Sequence, residues 1–278
     1  MSDSMLSETI AHAAELISQA DALVIAVGAG MCVDSGLPDF RGDDGFWKAY
    51  PALARAGIEF SQIATPRSFI ERPETAWGFY GHRLTRYRDA SPHRGFDLLR
   101  QWGERMEKGY WVFTSNVDGH FQKSGFDPLR INECHGSIHY MQCLQPCKET
   151  VWPADEFLPE IDDGRCELLN EIPRCPRCRS IARPNILMFE DWQWVGSRRQ
   201  LQEARQATWL AQATNPVVIE LGAGTEVPTV RYFSSRIVRQ HQGSLIRINP
   251  REDVVPDGYG VGIKLGALDA LTRISALF

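Results

Sequence analysis

The chain has 278 residues, of which 43% are hydrophobic and 23% charged, ordinary globular usage that excludes a disordered or fibrous protein. Its 30 Lys+Arg against 35 Asp+Glu leave a net charge of -5 with no dense basic run, which argues against nucleic acid or an anionic membrane surface as the main ligand. No stretch has the apolar length of a membrane span and no signal-peptide pattern opens the chain, so a soluble cytoplasmic protein is expected.

Residues 1–19 read as a surface helix, with Ile10, Ala13, Ala14 and Ile17 at helical spacing. Short β-branched runs at 21–27, 110–114, 216–221 and 244–249 then alternate with helical patterns, which is the signature of an α/β fold. Several of these runs are apolar throughout, as strands of a parallel sheet covered on both faces must be. Ligands of such sheets gather at the strands' carboxyl ends. There the first three runs carry Gly28-Ala29-Gly30, Ser115-Asn116-Val117-Asp118-Gly119 and Gly222-Ala223-Gly224, so three loops are expected to line one crevice. Residues 46–88, rich in aromatics and Arg, read as helices inserted after the first loop. Residues 139–182 hold cysteine pairs and prolines with little periodicity and read as a second small insertion.

Three groups of residues carry chemistry. Glycines directly after a strand let a backbone approach a pyrophosphate, and free N–H groups at the following helix start favour its charge. An amide and a carboxylate at a strand end, Asn116 and Asp118, can hold a carboxamide such as nicotinamide, and the nearby imidazole of His135 has the intrinsic pKa of a base near neutrality. Cys143 and Cys147, with Cys175 and Cys178, are spaced as the four thiolates of a closed, structural zinc site. Of the seven cysteines, Cys32, Cys134 and Cys166 are then left over, and Cys166 lacks a close partner. Paired thiols of this kind fit a reducing compartment better than a disulfide framework.

The run from Gly28 through Ser35-Gly36-Leu37-Pro38-Asp39-Phe40-Arg41 closely resembles the sirtuin NAD loop, GAGxSxxSGIPDFR. Thr114–Gly119 together with Glu133-Cys134-His135-Gly136-Ser137 resembles the sirtuin pair TQNIDGLH and ELHGS. This resemblance, which runs from about residue 22 to the end of the chain, implies a bacterial-type Sir2 deacylase. The fold it implies is a Rossmann-like parallel-sheet domain (1–45, 89–138 and 183–278) with an inserted helical module (46–88) and a smaller zinc-ribbon module (139–182). It implies that NAD, consumed as co-substrate, meets Gly28, Ala29, Gly30, Asp39, Phe40, Arg41, Ser115, Asn116, Asp118, Gly222, Ala223 and Asn249. It further implies catalysis by His135 and Asn116, with an acyl-lysine amide oxygen attacking the nicotinamide ribose and His135 acting as base on a ribose hydroxyl. The products would be free lysine, nicotinamide and O-acyl-ADP-ribose, and the zinc would only hold structure.

Residues 183–191 resemble the sirtuin segment RPxVVxFGE, which pairs with the substrate peptide and points to Ile186 and Phe189 as substrate contacts. Tyr80 and Arg83 form a Tyr-x-x-Arg that falls where sirtuins preferring succinyl, malonyl or glutaryl lysine line their acyl pocket. An acylated protein is therefore the expected partner. The chain also departs from the family pattern. Ser115 replaces a glutamine, Cys32 a serine and Glu190 a glycine, His120-Phe121 stands where Leu-His is expected, and Gly222-Ala223-Gly224-Thr225 stands where the family has GTSL. Because the peptide-clamping segments have changed, a sirtuin-like ADP-ribosyltransferase or NAD glycohydrolase is the alternative reading.

Overall fold

The computed structural model describes residues 3–38 and 42–278. The strands in chain order are β1 (Ala22–Val27), β2 (Tyr110–Thr114), β3 (Ile131–Glu133), β4 (Gly136–Cys143), β5 (Val151–Pro153), β6 (Ile161–Asp162), β7 (Glu167–Leu168), β8 (Ala182–Ile186), β9 (Pro216–Leu221), β10 (Ser244–Ile248) and β11 (Gly260–Ile263). Six of them form one sheet in the order β11-β10-β9-β1-β2-β3, and every pairing in it is parallel.

All six residues of β1 are buried, because both faces of the sheet are covered. Leu23, Ile25 and Val27 pack into a core shared with Ile10, Ala13, Ala14 and Ile17 of the helix Asp3–Gln19. Ala22, Val24 and Ala26 point the other way, into a core shared with Val230, Phe233 and Ile237 of the helix Thr229–His241. Each fully buried Val, Leu or Ile contributes roughly 1.5–3 kcal/mol, which is why β1 carries no polar residue on either side.

The chain lays strands outward on one side of β1, then returns to β9 and builds in the opposite direction. The order therefore reverses between β1 and β9, whose carboxyl-terminal residues Val27 and Leu221 are register partners. A crevice opens where the two following loops diverge. The loops do not simply diverge, however. They first touch backbone to backbone: Gly28 N donates to Leu221 O at 2.9 Å and Gly30 N to Gly222 O at 3.1 Å. A Cβ on Gly222, whose φ is +59°, would lie 2.4 Å from Gly30 C and Met31 N, and one on Gly28 would lie 2.8 Å from Ala223 Cα.

The insertion between β1 and β2 holds the helices Gly42–Ala49, Pro51–Arg55, Phe60–Ile63, Ser68–Glu71 and Pro73–Asp89. The last begins with Pro73, carries Glu74 in its first turn and Arg86 and Arg88 in its last, which suits both ends of the helix dipole. It rests on the cysteine-rich segment. Trp77 Nε1 donates to Ala182 O at 3.0 Å, and a Cβ on Gly78 would sit 2.1 Å from Cys166 O. That segment is organised by an antiparallel sheet in the order β5-β4-β8 and by the β6-β7 pair. β4 begins directly after His135, so the second small sheet grows out of the loop that carries the imidazole. Among the described residues no helix is long and apolar enough to cross a membrane.

The contact between the glycine loops generates a clear expectation. Gly222→Ala combines a left-handed φ with a backbone collision and should cost roughly 2–5 kcal/mol in chemical denaturation. Gly258→Ala also has a positive φ, +81°, but its added Cβ would meet nothing within 4 Å, so it should cost only about 1–2 kcal/mol.

Candidate active site

A cavity of about 820 Å³ opens at the β1/β9 reversal. Its wall brings together Gly28, Ala29, Ser115, Asn116, Asp118, His135, Gly222 and Ala223 from the sheet's loops. Tyr80 and Arg83 of the inserted helix, Ile186 at the end of β8 and Phe189 just beyond it complete it. Asp39, Phe40 and Arg41 lie outside the described residues. Gly30 and Asn249 stand behind the wall rather than on it. Gly30 permits the close approach to Gly222. Asn249 is buried and fully engaged, donating through Nδ2 to Ala223 O at 2.9 Å and accepting from Arg251 N and Glu252 N at 3.0 and 3.1 Å. It thus braces the cavity wall at Ala223, Arg251 and Glu252.

Asn116 follows the end of β2. Its backbone N–H is taken by Thr114 Oγ1 at 3.0 Å, and its Nδ2 donates to Gly28 O at 3.1 Å, tying the second loop to the first. The Asp118 carboxylate accepts from His120 N at 2.8 Å and from the Cys32 thiol at 3.1 Å. Ser115 turns its hydroxyl back to Val27 O at 3.3 Å. The short 3-10 helix Ala29–Ser35 starts directly after Gly28, so backbone N–H groups sit beside the cavity with a mild positive field.

His135 lies between the two sheets, half-buried. Burial pushes its pKa below the ordinary 6.5, the Arg199 guanidinium pushes it the same way, and a hydrogen bond with the Ser115 backbone opposes them. The ring is therefore neutral at pH 7 and able to accept a proton. Its carbonyl accepts from Leu187 N at 2.9 Å, which anchors the start of the segment 187–191 beside the imidazole. The far end of that segment is held by Asp191. This buried carboxylate pairs with Arg183 at 2.8 Å and also accepts from Met188 N and Gln193 N. Phe189 N donates to Ala64 O at 2.9 Å and its ring meets Phe60 edge-on at 5.8 Å.

At the inner end of the cavity Tyr80, Arg83 and Tyr87 lie on one face of the helix Pro73–Asp89. Arg83 Nε and Nη2 donate to Tyr87 Oη at 3.0 and 2.7 Å, and its guanidinium sits 5.2 Å from the Phe79 ring centre and 5.7 Å from that of Tyr80. Burial pushes the Tyr80 phenol up to about 12, against the pull of Arg83, so it stays a neutral donor. Tyr87 escaped the sequence reading, although its i+7 spacing from Tyr80 carried the signal. The cavity is also lined by Thr225, part of a departure from the family pattern, and by Glu226, Arg251 and Glu252, which the sequence left unmarked.

The four cysteines expected at the metal site converge. Cys143 Sγ lies 3.6 Å from Cys178 Sγ and Cys147 Sγ lies 3.8 Å from Cys175 Sγ, with all four sulfurs within 4.8 Å of one another. A tetrahedron with Zn–S bonds of about 2.3 Å has an edge of about 3.8 Å, so the donor set and its spacing fit zinc. Cys166 is not among them; it lies against the inserted helix at Gly78.

Residues 28–224 match the model of the Sir2 family. Among curated proteins the chain is 28% identical over 240 residues to an NAD-dependent protein deacylase of Pyrococcus furiosus, covering 86% of each chain. It is 29% identical to an NAD-dependent protein deacetylase of Caldivirga maquilingensis, covering 94% of this chain and 91% of that one. Among solved structures it shares its fold with a Sir2 homologue–ADP ribose complex, at 22% identity and a TM-score of 0.71, covering 100% of this chain and 96% of the other. A Sir2 homolog–NAD complex gives a TM-score of 0.69 at 22% identity, covering 100% and 94%. With the glycine loop, the Asn116–Asp118 strand end, His135 and the cysteine tetrad all in place, the chain belongs to the Sir2 family.

Proposed function

We propose that this protein removes acyl groups from lysine side chains of proteins with NAD as co-substrate, and that it favours acyl groups ending in a carboxylate. The observation that carries this is the single cavity shared by the glycine loops, His135 and the Tyr80/Arg83 face. Its volume falls within the roughly 300–1,000 Å³ of small-ligand sites. The backbone cradle at Gly28 and Gly222 accommodates a pyrophosphate, and the carboxylate of Asp118 beside the amide of Asn116 suits a carboxamide. NAD held there supplies a ribose carbon whose nicotinamide can leave.

The protein's own groups then divide the work. Asn116 and Asp118 orient the nicotinamide end. His135, neutral at working pH, takes a proton from a ribose hydroxyl. Leu187 and Phe189, both partly exposed at the cavity mouth, offer apolar contact and an edge for an extended peptide. Tyr80 donates a hydrogen bond and Arg83 supplies positive charge to an acyl carboxylate at the inner end. The cysteine tetrad holds a structural zinc, whose four thiolates leave no position open for chemistry. Free cysteines around such a site suit the reducing cytoplasm, where we place the protein.

The zinc assignment predicts that Cys175→Ser lowers the bound zinc found by atomic emission and drops the melting temperature by more than about 5 °C. For His135, the sign follows from the depressed pKa. The neutral ring is the active form, so kcat/KM should hold down to its ordinary 6.5 and fall as the pH drops below it. His135→Ala should lose about 10²- to 10⁴-fold in rate together with that acid limb. The overall reading is tested with acetyl-, succinyl- and lipoyl-lysine peptides, followed by nicotinamide release and mass spectrometry. Bare lysine with O-acyl-ADP-ribose is expected, fastest from the succinyl peptide, whereas free ADP-ribose or an ADP-ribosylated protein would establish the glycohydrolase or transferase alternative. Arg83→Met and Tyr80→Phe should each reduce succinyl turnover, Arg83→Met by about 2 kcal/mol or more, roughly 30-fold, with acetyl turnover little changed.

A further inference from the structure

Two positions at which this chain departs from the Sir2 motifs, Cys32 in the first loop and His120 after the Asn116–Asp118 strand end, are distant in sequence and meet in space. Between them stands Asp118. One ligand atom from each of the three lies within 4.8 Å of the other two. The side chains are deeply buried, at 4%, 7% and 1% exposure for Cys32, Asp118 and His120. The Cys32 thiol shares its proton with Asp118 Oδ2 at 3.1 Å, while Asp118 Oδ1 is taken by the backbone N–H of His120 at 2.8 Å. Asn116 Nδ2 points at the same sulfur from 3.4 Å.

The imidazole of His120 is the anomaly. Neither Nδ1 nor Nε2 has a hydrogen-bond partner, although both are buried. Leaving a buried polar group unmet in this way is destabilising, and the leucine expected at this position would carry no such cost. Phe96 meets the ring edge-on at 5.8 Å and offers it no acceptor. Burial and the neighbouring Lys123, His93 and His139 disfavour a charged ring, whereas Asp118 favours it. A buried imidazole with both nitrogens unpartnered, beside a thiol and a carboxylate, is the donor set of a metal site.

We propose that Cys32, Asp118 and His120 form a second metal site, separate from the cysteine tetrad, for a divalent cation of the zinc type. Mixed sulfur, oxygen and nitrogen donors suit such borderline ions, and three protein ligands leave a fourth position open. The ion takes the place of the proton now shared by Cys32 and Asp118, which is released to solvent. A 2+ ion with one thiolate, one carboxylate and a neutral imidazole is then neutral overall, as a buried location requires. Cys32 and Asp118 line the NAD cavity and His120 does not, so the imidazole holds the ion from behind and the open position faces the cavity. Where Asp118 serves the nicotinamide carboxamide, as the proposed function has it, an ion on its carboxylate makes the protein zinc-inhibited.

The test uses the full protein with its tetrad filled by zinc, dialysed against micromolar ZnCl2, with metal counted by atomic emission. Wild type should retain a second equivalent beyond that of the tetrad. Cys32→Ser and His120→Leu, each installing the residue of the Sir2 pattern, should lose it or bind it at least ~10-fold more weakly, a loss seen even for outer-shell partners. Co²⁺ added to the same protein should give thiolate charge-transfer absorption in wild type that disappears in Cys32→Ser while its circular dichroism is unchanged. No second equivalent in wild type, or one that persists in both variants, overturns the site. Nicotinamide release should fall with added Zn²⁺ in wild type and hold in His120→Leu relative to its own rate without added Zn²⁺; a filled site with undiminished release overturns the inhibition. Absence of nicotinamide release from wild type with its tetrad filled and no Zn²⁺ added would sink the deacylase reading and leave the metal count standing.

Discussion

The structure depends on one close approach, the backbone contact between the loop after β1 and the loop after β9. Two parallel strands that neighbour each other send their chains in opposite directions at this point, and their loops would ordinarily splay. Here glycine removes the side chains that would hold them apart, at Gly28 on one loop and Gly222 on the other, and hydrogen bonds close the gap. The result is a floor made of peptide groups, to which a charged dinucleotide can come near without meeting a Cβ. Asn116 extends the same floor by donating to Gly28 O, so the loop after β2 is registered against the loop after β1 through a side chain.

Everything above that floor is held by the two insertions, and they are held by each other. The helix Pro73–Asp89 presents Tyr80, Arg83 and Tyr87 to the cavity while its other side packs on the cysteine-rich segment through Trp77 and Gly78. In the three-stranded sheet β4 carries the chain away from His135 and the antiparallel β8 returns it beside the cavity. At Gly136 the strands are so close that a Cβ would lie 2.0 Å from Asn185 O, and φ is +79°. The buried Arg183–Asp191 pair then fixes the loop that follows. A buried ion pair is weak evidence for stability, but this one is oriented by two further backbone donors, Met188 N and Gln193 N, and so sets the shape of a cavity wall. Zinc in the tetrad would tie the end of β4, at Cys143, to the chain that leads into β8, through Cys175 and Cys178.

Much of this was legible in the residues. β2 and β9 fall at the expected 110–114 and 216–221 because their apolar runs are bounded by polar loops, and the sheet's parallel character followed from the absence of alternation. The cavity wall was legible where a short motif names several residues at once, as at Gly28, Asn116–Asp118 and His135. β4 and β8 were not, since Gly136–Cys143 and Ala182–Ile186 mix buried polar residues with apolar ones. Asn185 among them finds its partners away from its own strand, donating to Gln142 Oε1 at 2.9 Å and to Val195 O at 3.0 Å. A pattern read along one strand cannot show a partner on another. Asn249 illustrates the converse, a residue marked from its motif position that the fold uses to brace Ala223 and Arg251.

The departures from the Sir2 pattern separate into two physical kinds. Glu190 stands where the family has glycine and adopts the glycine conformation, with φ at +54°. A left-handed turn at glutamate carries a strain of roughly 1–2 kcal/mol, and Asp191 and the Phe189–Ala64 hydrogen bond hold the segment on both sides of it. Cys32 and His120 are different, for they do not reproduce the geometry of what they replace but add donors to a buried place. A serine and a leucine in those positions would leave Asp118 a carboxylate with a hydroxyl neighbour and an apolar backing. A thiol and an imidazole surround the same carboxylate with two groups that bind metal better than they bind each other. Strain that is tolerated preserves an inherited shape, whereas two unneeded ligands arriving at one acid alter the chemistry of the floor on which the whole cavity is built.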